Sequence, residues 1–255
     1  MSYPSYLDIT RGIARGLSSD DKFGRNSAVG TTFVPVCTGG FYQTPQASGA
    51  TTLRVAAGSA NDIYGGSGAW SVVVVGIGPD GSMVSDTLRC NGDAAGTPGT
   101  VEFIRVFRCY ISESGTYATQ SISSQAGSIT IESADGVDTW AVIRDTDLGR
   151  GQSQIAAITV PRGYRMFLAS CDFSVETTKV ATIVLFKRDN ILDASAPYSA
   201  MRVQEEYVGV IGELSHVHEP PIGPFNEMTD VGFLAKVSGQ TGDISITFAY
   251  ILEAI

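Results

Sequence analysis

At 255 residues the chain is long enough for one large β domain or for two ordinary ones of roughly 100–150 residues each. Twenty-six acidic against 17 basic residues give a net charge of −9, which argues against a primary role on nucleic acid, where clustered Lys and Arg must displace phosphate counterions. Charged residues make up only 17% of the chain, below the usual share of about a quarter, and Gly, Ser and Thr take their place. The result is a neutral, hydrogen-bonding surface, suited equally to a loop-rich β protein and to a protein that lies against others.

No apolar run approaches the ~20 residues that span a bilayer, so no membrane partner is expected. Met1-Ser2-Tyr3-Pro4 lacks the basic start and apolar stretch of a signal peptide, which points to a cytosolic site of synthesis. Cys37, Cys90, Cys109 and Cys171 are far apart and sit within apolar alternation, the pattern of buried free thiols.

In residues 1–30 neither a helical nor a strand period persists. Small polar residues separate isolated large ones (Tyr6, Ile9, Phe23), as expected of an extended arm anchored on the body or on a neighbouring subunit. From residue 31 come eight strand candidates: Thr32–Cys37, Thr51–Ala56, Trp70–Ile77, Met83–Cys90, Glu102–Ile111, Tyr117–Ile122, Ser128–Glu132 and Thr139–Arg144. Pro79-Asp80-Gly81 presets a tight reversal between two of them: proline fixes φ, Asp bonds its own backbone, and Gly accepts a positive φ. Arg105 and Arg108, with nearby Arg89, alternate with apolar residues and read as an outward strand face.

The polar, glycine-containing stretch 145–152 is the best boundary. Beyond it Gln154–Pro161, Tyr164–Val175, Val180–Arg188, Met201–Ile211, Val231–Val237 and Ile244–Leu252 read as strands, with Pro161-Arg162-Gly163 as another turn. Pro220, Pro221 and Pro224 mark a linker, since proline does not belong in a central strand. The fold class expected is therefore all-β: an N-terminal arm (1–30), then two antiparallel, jelly-roll-like β-sandwich domains (31–147 and 148–255).

Chemistry-bearing motifs are few. His216-Val217-His218 holds both histidines of the chain, two residues apart, so in a strand both imidazoles face one way and reach one metal ion. No third ligand is identifiable in the sequence, and an exposed or interface histidine pair is the preferred reading; no metal and no cofactor is expected. Gly65-Gly66-Ser67-Gly68 precedes a strand rather than a helix and so makes no phosphate cradle. No nucleophile sits in a catalytic elbow and no carboxylate pair is marked by aromatic sugar platforms, so catalytic residues are not expected and the chain reads as a non-enzyme.

Four phrases resemble a loosely defined family of virion structural proteins of tailed bacteriophages, especially those of marine and freshwater hosts. They are Tyr6-Leu7-Asp8-Ile9-Thr10-Arg11-Gly12, Lys22-Phe23-Gly24-Arg25-Asn26, the turn Thr159-Val160-Pro161-Arg162-Gly163-Tyr164, which is similar to a "vPaGk" phrase, and the strand end Val184-Leu185-Phe186-Lys187-Arg188-Asp189. Arg162, Tyr164 and the Pro-rich 219–224 segment depart from that pattern. The resemblance implies a virion protein assembled in the host cytoplasm, of capsid decoration or cement type. Its arm residues Tyr6, Ile9, Arg11, Phe23 and Arg25 would clamp the major capsid protein or another virion protein. A homo-oligomer, with a trimer preferred, follows from the symmetry of such shells. The alternative is a tail, neck, baseplate or fibre component with a carbohydrate-binding sandwich.

Overall fold

The structure, a computed structural model, describes residues 5–42, 49–117, 124–145, 151–193 and 195–255. Among these residues a short helix, α1 (Tyr6–Thr10), precedes sixteen strands. These are β1 (Leu17–Val29), β2 (Val34–Pro35), β3 (Thr51–Val55), β4 (Ala69–Ile77), β5 (Met83–Arg89), β6 (Glu102–Phe103), β7 (Arg105–Ser114), β8 (Ile129–Ser133) and β9 (Thr139–Ile143). After them come β10 (Ala157–Thr159), β11 (Tyr164–Val175), β12 (Ala181–Arg188), β13 (Arg202–Val210), β14 (Gly212–Phe225), β15 (Asp230–Val237) and β16 (Gly242–Ala254). Every pairing is antiparallel, as the all-β reading requires.

The β4–β5 turn follows from its residues. Gly81 takes φ +85°, its N–H donates to the Gly78 carbonyl at 2.9 Å, and Asp80 accepts from the Ser82 N–H at 2.9 Å. Residues 77 and 83 then pair directly, with the strands in register through Ser71 and Arg89. The Pro161–Gly163 turn closes likewise, with Gly163 at φ +80°. The two turns touch: the Arg162 N–H donates to the Gly81 carbonyl at 2.9 Å.

Four sheets result. The largest pair is β1-β16-β11-β14, here the β16 sheet, and β10-β15-β12-β13 with β2 beside β15, here the β15 sheet. Period-two alternation explains how they pack. Ile244, Ile246, Phe248, Tyr250 and Leu252 of β16 and Met166, Leu168, Cys171, Phe173 and Val175 of β11 are buried. They meet Ile183 and Leu185 of β12 and Val231, Phe233, Ala235 and Val237 of β15 in one sandwich-like core. The other two sheets, β6-β3-β8-β9 and β5-β4-β7, enclose a second core around Leu53, Val72, Val74, Phe103, Ile131 and Trp140. The cores interlock: Ile77, Ile104 and Phe107 belong to the first, Ile155, Ala157 and Phe186 to the second.

The extended arm expected over 1–30 meets a different arrangement. Residues 17–29 are an edge strand of the β16 sheet, in register with β16 from Leu17–Glu253 to Asn26–Ile244. The inward side chains of β1 are Lys22, Gly24 and Asn26, while Phe23 and Arg25 lie on the other face; this polar inner face hides the strand period. The junction with β7 is the cause. Lys22 Nζ donates to the Phe107 carbonyl, and the Ala156 backbone crosses directly over Gly24.

Two further expectations are corrected. Arg105 is buried, not part of an outward face, because it lies on the side of β7 turned toward β15; Arg89 remains exposed. Gly212–Phe225 is a strand rather than a linker. Its prolines are accommodated because β14 pairs on one side only, with a large bulge opposite Ala169 that takes up residues 218–221. The strand expected over Tyr117–Ile122 and the boundary at 147/148 fall largely outside the described residues.

Candidate functional site

β13 and β14 are consecutive in the chain yet belong to facing sheets. Gly209 (φ +77°) and Gly212 (φ +66°) bracket Val210 and Ile211, so the backbone steps from the margin of the β15 sheet to the margin of the β16 sheet over two residues. Both strands are sheet edges, and their inward side chains close the open side of the sandwich.

Four of those side chains form a polar cluster. Glu205 and Tyr207 of β13 are half-buried, His216 of β14 is exposed and His218 is buried. The Tyr207 hydroxyl donates to Glu205 Oε2. Glu205 Oε1 lies 3.9 Å from His218 Nδ1, and His218 Nε2 lies 3.5 Å from Cys171 Sγ of β11. The two imidazole rings are 4.6 Å apart, and the His216 ring stands edge-on to Tyr207, which packs at 4.7 Å on Phe173 of the core. One ligand atom from each of Glu205, His216 and His218 falls within 4.8 Å of the other two.

Burial and the neighbouring His216 push the His218 pKa below its ordinary value against the pull of Glu205, which favours a neutral imidazole. Burial, aided by the charges of Glu205 and Asp172, pushes the Cys171 thiol up to about 12. A Cys–His nucleophile would need a thiolate and an open approach. Cys171 has neither, being fully buried beneath β14. All four cysteines are buried and unpaired. What the arrangement offers is coordination and hydrogen bonding.

The histidines flagged by the sequence are thus brought together, and Glu205 is added to them. A signal for Glu205 does exist: Gly209 and Gly212 bracket a reversal, and Glu205 lies about as far before Ile211 as His216 and His218 lie after it.

Several exposed side chains around the same reversal are apolar. Val203, Val208, Ile211 and Val217 are each more than half exposed, and Leu214, on the face of His216, is partly so. Beside Val217 lies a groove of about 640 Å³, lined by Tyr6 and Ile9 of α1, Val217 and Pro221 of β14, and Ala249 and Ile251 of β16.

The expected arm residues divide between places. Tyr6 and Ile9 line this groove, with Ile9 buried. Arg11 caps the C-terminal end of α1. Phe23 and Arg25 line a separate depression of about 520 Å³, where Arg25 Nε donates to Asp243 Oδ1 at 2.9 Å. Arg25 is therefore held within the chain.

No family model matches this chain, and no curated protein matches it.

Proposed function

We propose that the chain is a non-enzymatic virion structural protein of a tailed bacteriophage, of capsid decoration or cement type, which acts by covering surface on its neighbours. The observation that carries this reading is the exposure of Val203, Val208, Ile211 and Val217, with Leu214 partly exposed, on two edge strands and the turn between them. Exposed edge strands are templates for pairing, and soluble proteins blunt them with prolines, charges or bulges. β14 has such protection at its far end, in Pro220, Pro221 and Pro224, while the turn at Ile211 has the charge of Glu213 and a bulge at Gly209. The apolar residues exposed between these devices suit a surface that a neighbouring subunit covers.

In this reading the chain works as two sandwich-like units, and the part of the N-terminal segment that reaches outward is α1 and its flanks, since β16 already holds β1. The partner is the major capsid protein or another copy of this chain, met through many modest neutral contacts multiplied by copy number. The resemblance of four phrases to those of phage virion proteins and the low charge density support the same reading.

Quantitative mass spectrometry of purified virions, referenced to the major capsid protein, tests it. Hundreds of copies per particle are expected. A few tens would move the protein to the neck, tail or fibres, and absence from the particle would overturn the reading.

A further inference from the structure

We infer that Glu205, His216 and His218 bind one divalent transition-metal ion of the zinc class at the margin where the two large sheets meet.

The donor set carries the argument first. Two imidazole nitrogens and one carboxylate oxygen suit zinc and its neighbours, whereas calcium and magnesium favour all-oxygen sites. The separations come next. Ligands that share one zinc ion stand at about 2.0–2.2 Å from it, so at the tetrahedral angle two of them lie about 3.3–3.6 Å apart. The three donor atoms are within 4.8 Å of one another, with Glu205 Oε1 and His218 Nδ1 at 3.9 Å. The remaining approach falls to the exposed His216 and the half-buried Glu205 side chains.

The surrounding hydrogen bonds make the arrangement directional. Metal-bound imidazoles and carboxylates characteristically have their remaining polar atoms held by an outer ring of partners. Here His218 Nε2 faces Cys171 Sγ at 3.5 Å, which leaves Nδ1 for the ion. Tyr207 donates to Glu205 Oε2, which leaves Oε1, the oxygen nearest Nδ1. Both outer partners hold the atom that points away from the centre. Cys171 lies beyond the His218 ring and acts as its hydrogen-bond acceptor rather than as a ligand. A fourth coordination position opens into the depression of about 610 Å³ walled by Val217, Glu219, Pro220 and Ile222, where water reaches it.

Two ligands come from β14 in one sheet and the third from β13 in the facing sheet. The ion therefore fastens together the two margins that no backbone ladder joins. Only the folded chain assembles these ligands, so binding raises thermal stability with metal concentration.

The test uses untagged full-length protein stripped with a chelator and titrated with Co²⁺. Visible d–d absorption of a low-coordinate cobalt site, saturating at one ion per chain and bleached by one equivalent of Zn²⁺, is expected, with a rise in melting temperature. His216→Ala, at an exposed position, should fold normally by circular dichroism and bind at least tenfold more weakly. Glu205→Gln, which keeps the shape of the side chain, should also weaken binding. Absence of the one-to-one cobalt band in the wild type would overturn the proposal, as would unchanged affinity in folded His216→Ala. Neither result bears on copy number in virions, so this inference and the virion reading fail separately.

Discussion

Arg105 and Asp230, 125 residues apart in the chain, meet with Nε 3.1 Å from Oδ2, and neither side chain is more than 2% exposed. Asp230 also accepts from Thr159 Oγ1 at 2.5 Å and from the Tyr42 hydroxyl at 3.3 Å. One carboxylate from β15 thus gathers groups from β7, from β10 and from the segment before β3, and it pins the two interlocking cores. Removing one member of such a pair strands the other in a low-dielectric interior, at a cost of about 3–5 kcal/mol. Asp230→Asn and Arg105→Met should each lower unfolding free energy by that amount in urea titrations. The double variant Arg105→Met/Asp230→Asn should lose clearly less than the sum, because it leaves no buried charge. Additive losses would show that the two side chains do not act as a pair.

Lys22 gives the protein a specific pH profile. Burial, aided by Arg108, pulls its pKa from 10.5 to about 7 against the pull of Asp20 and Asp21. Between those values the unfolded chain holds a proton that the native chain does not, so stability rises with pH, by at most about 1.4 kcal/mol per unit. The thiols act in the opposite sense. Burial raises Cys37 well above the ordinary value of 9.0, Cys90 to about 11, and Cys109 and Cys171 to about 12. Above pH 9 the unfolded chain therefore loses protons that the native chain keeps, and stability falls. Urea midpoints should climb from pH 7, peak near pH 8–9 and then decline. Lys22→Met should abolish the climb and keep the decline.

Gly24 is a steric requirement. A Cβ there would lie 2.2 Å from the Ala156 backbone nitrogen and 2.4 Å from the Val36 carbonyl oxygen. Since backbone atoms cannot swing aside, Gly24→Ala must push β1 away from the junction, with a loss of about 3 kcal/mol, at the upper end of ordinary overpacking. A change in melting temperature of less than about 2 °C would contradict this account.

The exposed valines of β13 should separate folding from assembly. Val203→Lys/Val208→Lys alters two exposed positions, so unfolding free energy should stay within about 0.5 kcal/mol per site. Self-association in sedimentation velocity, or attachment to particles, should drop at least tenfold. Full retention of both would remove these valines from the proposed function.

Legibility in the sequence follows the chemistry of the inward face. β11 and β16 announce themselves because Met166, Leu168, Phe173 and the series Ile244 to Leu252 alternate with polar residues. β1 is silent because its inner face is Lys22, Gly24 and Asn26, residues chosen by a junction that local pattern does not report. β14 is masked by prolines that only its edge position tolerates. Glu205 joins the two histidines through pairing between sheets, and Arg105 reads as outward because its partner is 125 residues further on. Local period reveals which residues share a face; what that face meets depends on topology.

β1 has a further consequence for the history of each molecule. Arg25 bonds Asp243, 218 residues later, so β1 leaves the ribosome long before the strand that completes its ladder exists. During that interval it lacks its native partner strand, the situation in which exposed edges recruit wrong partners. Its inner face of lysine, glycine and asparagine gives a foreign strand little to grip. The polar residues that conceal β1 from pattern reading would equally keep it uncommitted until β16 arrives.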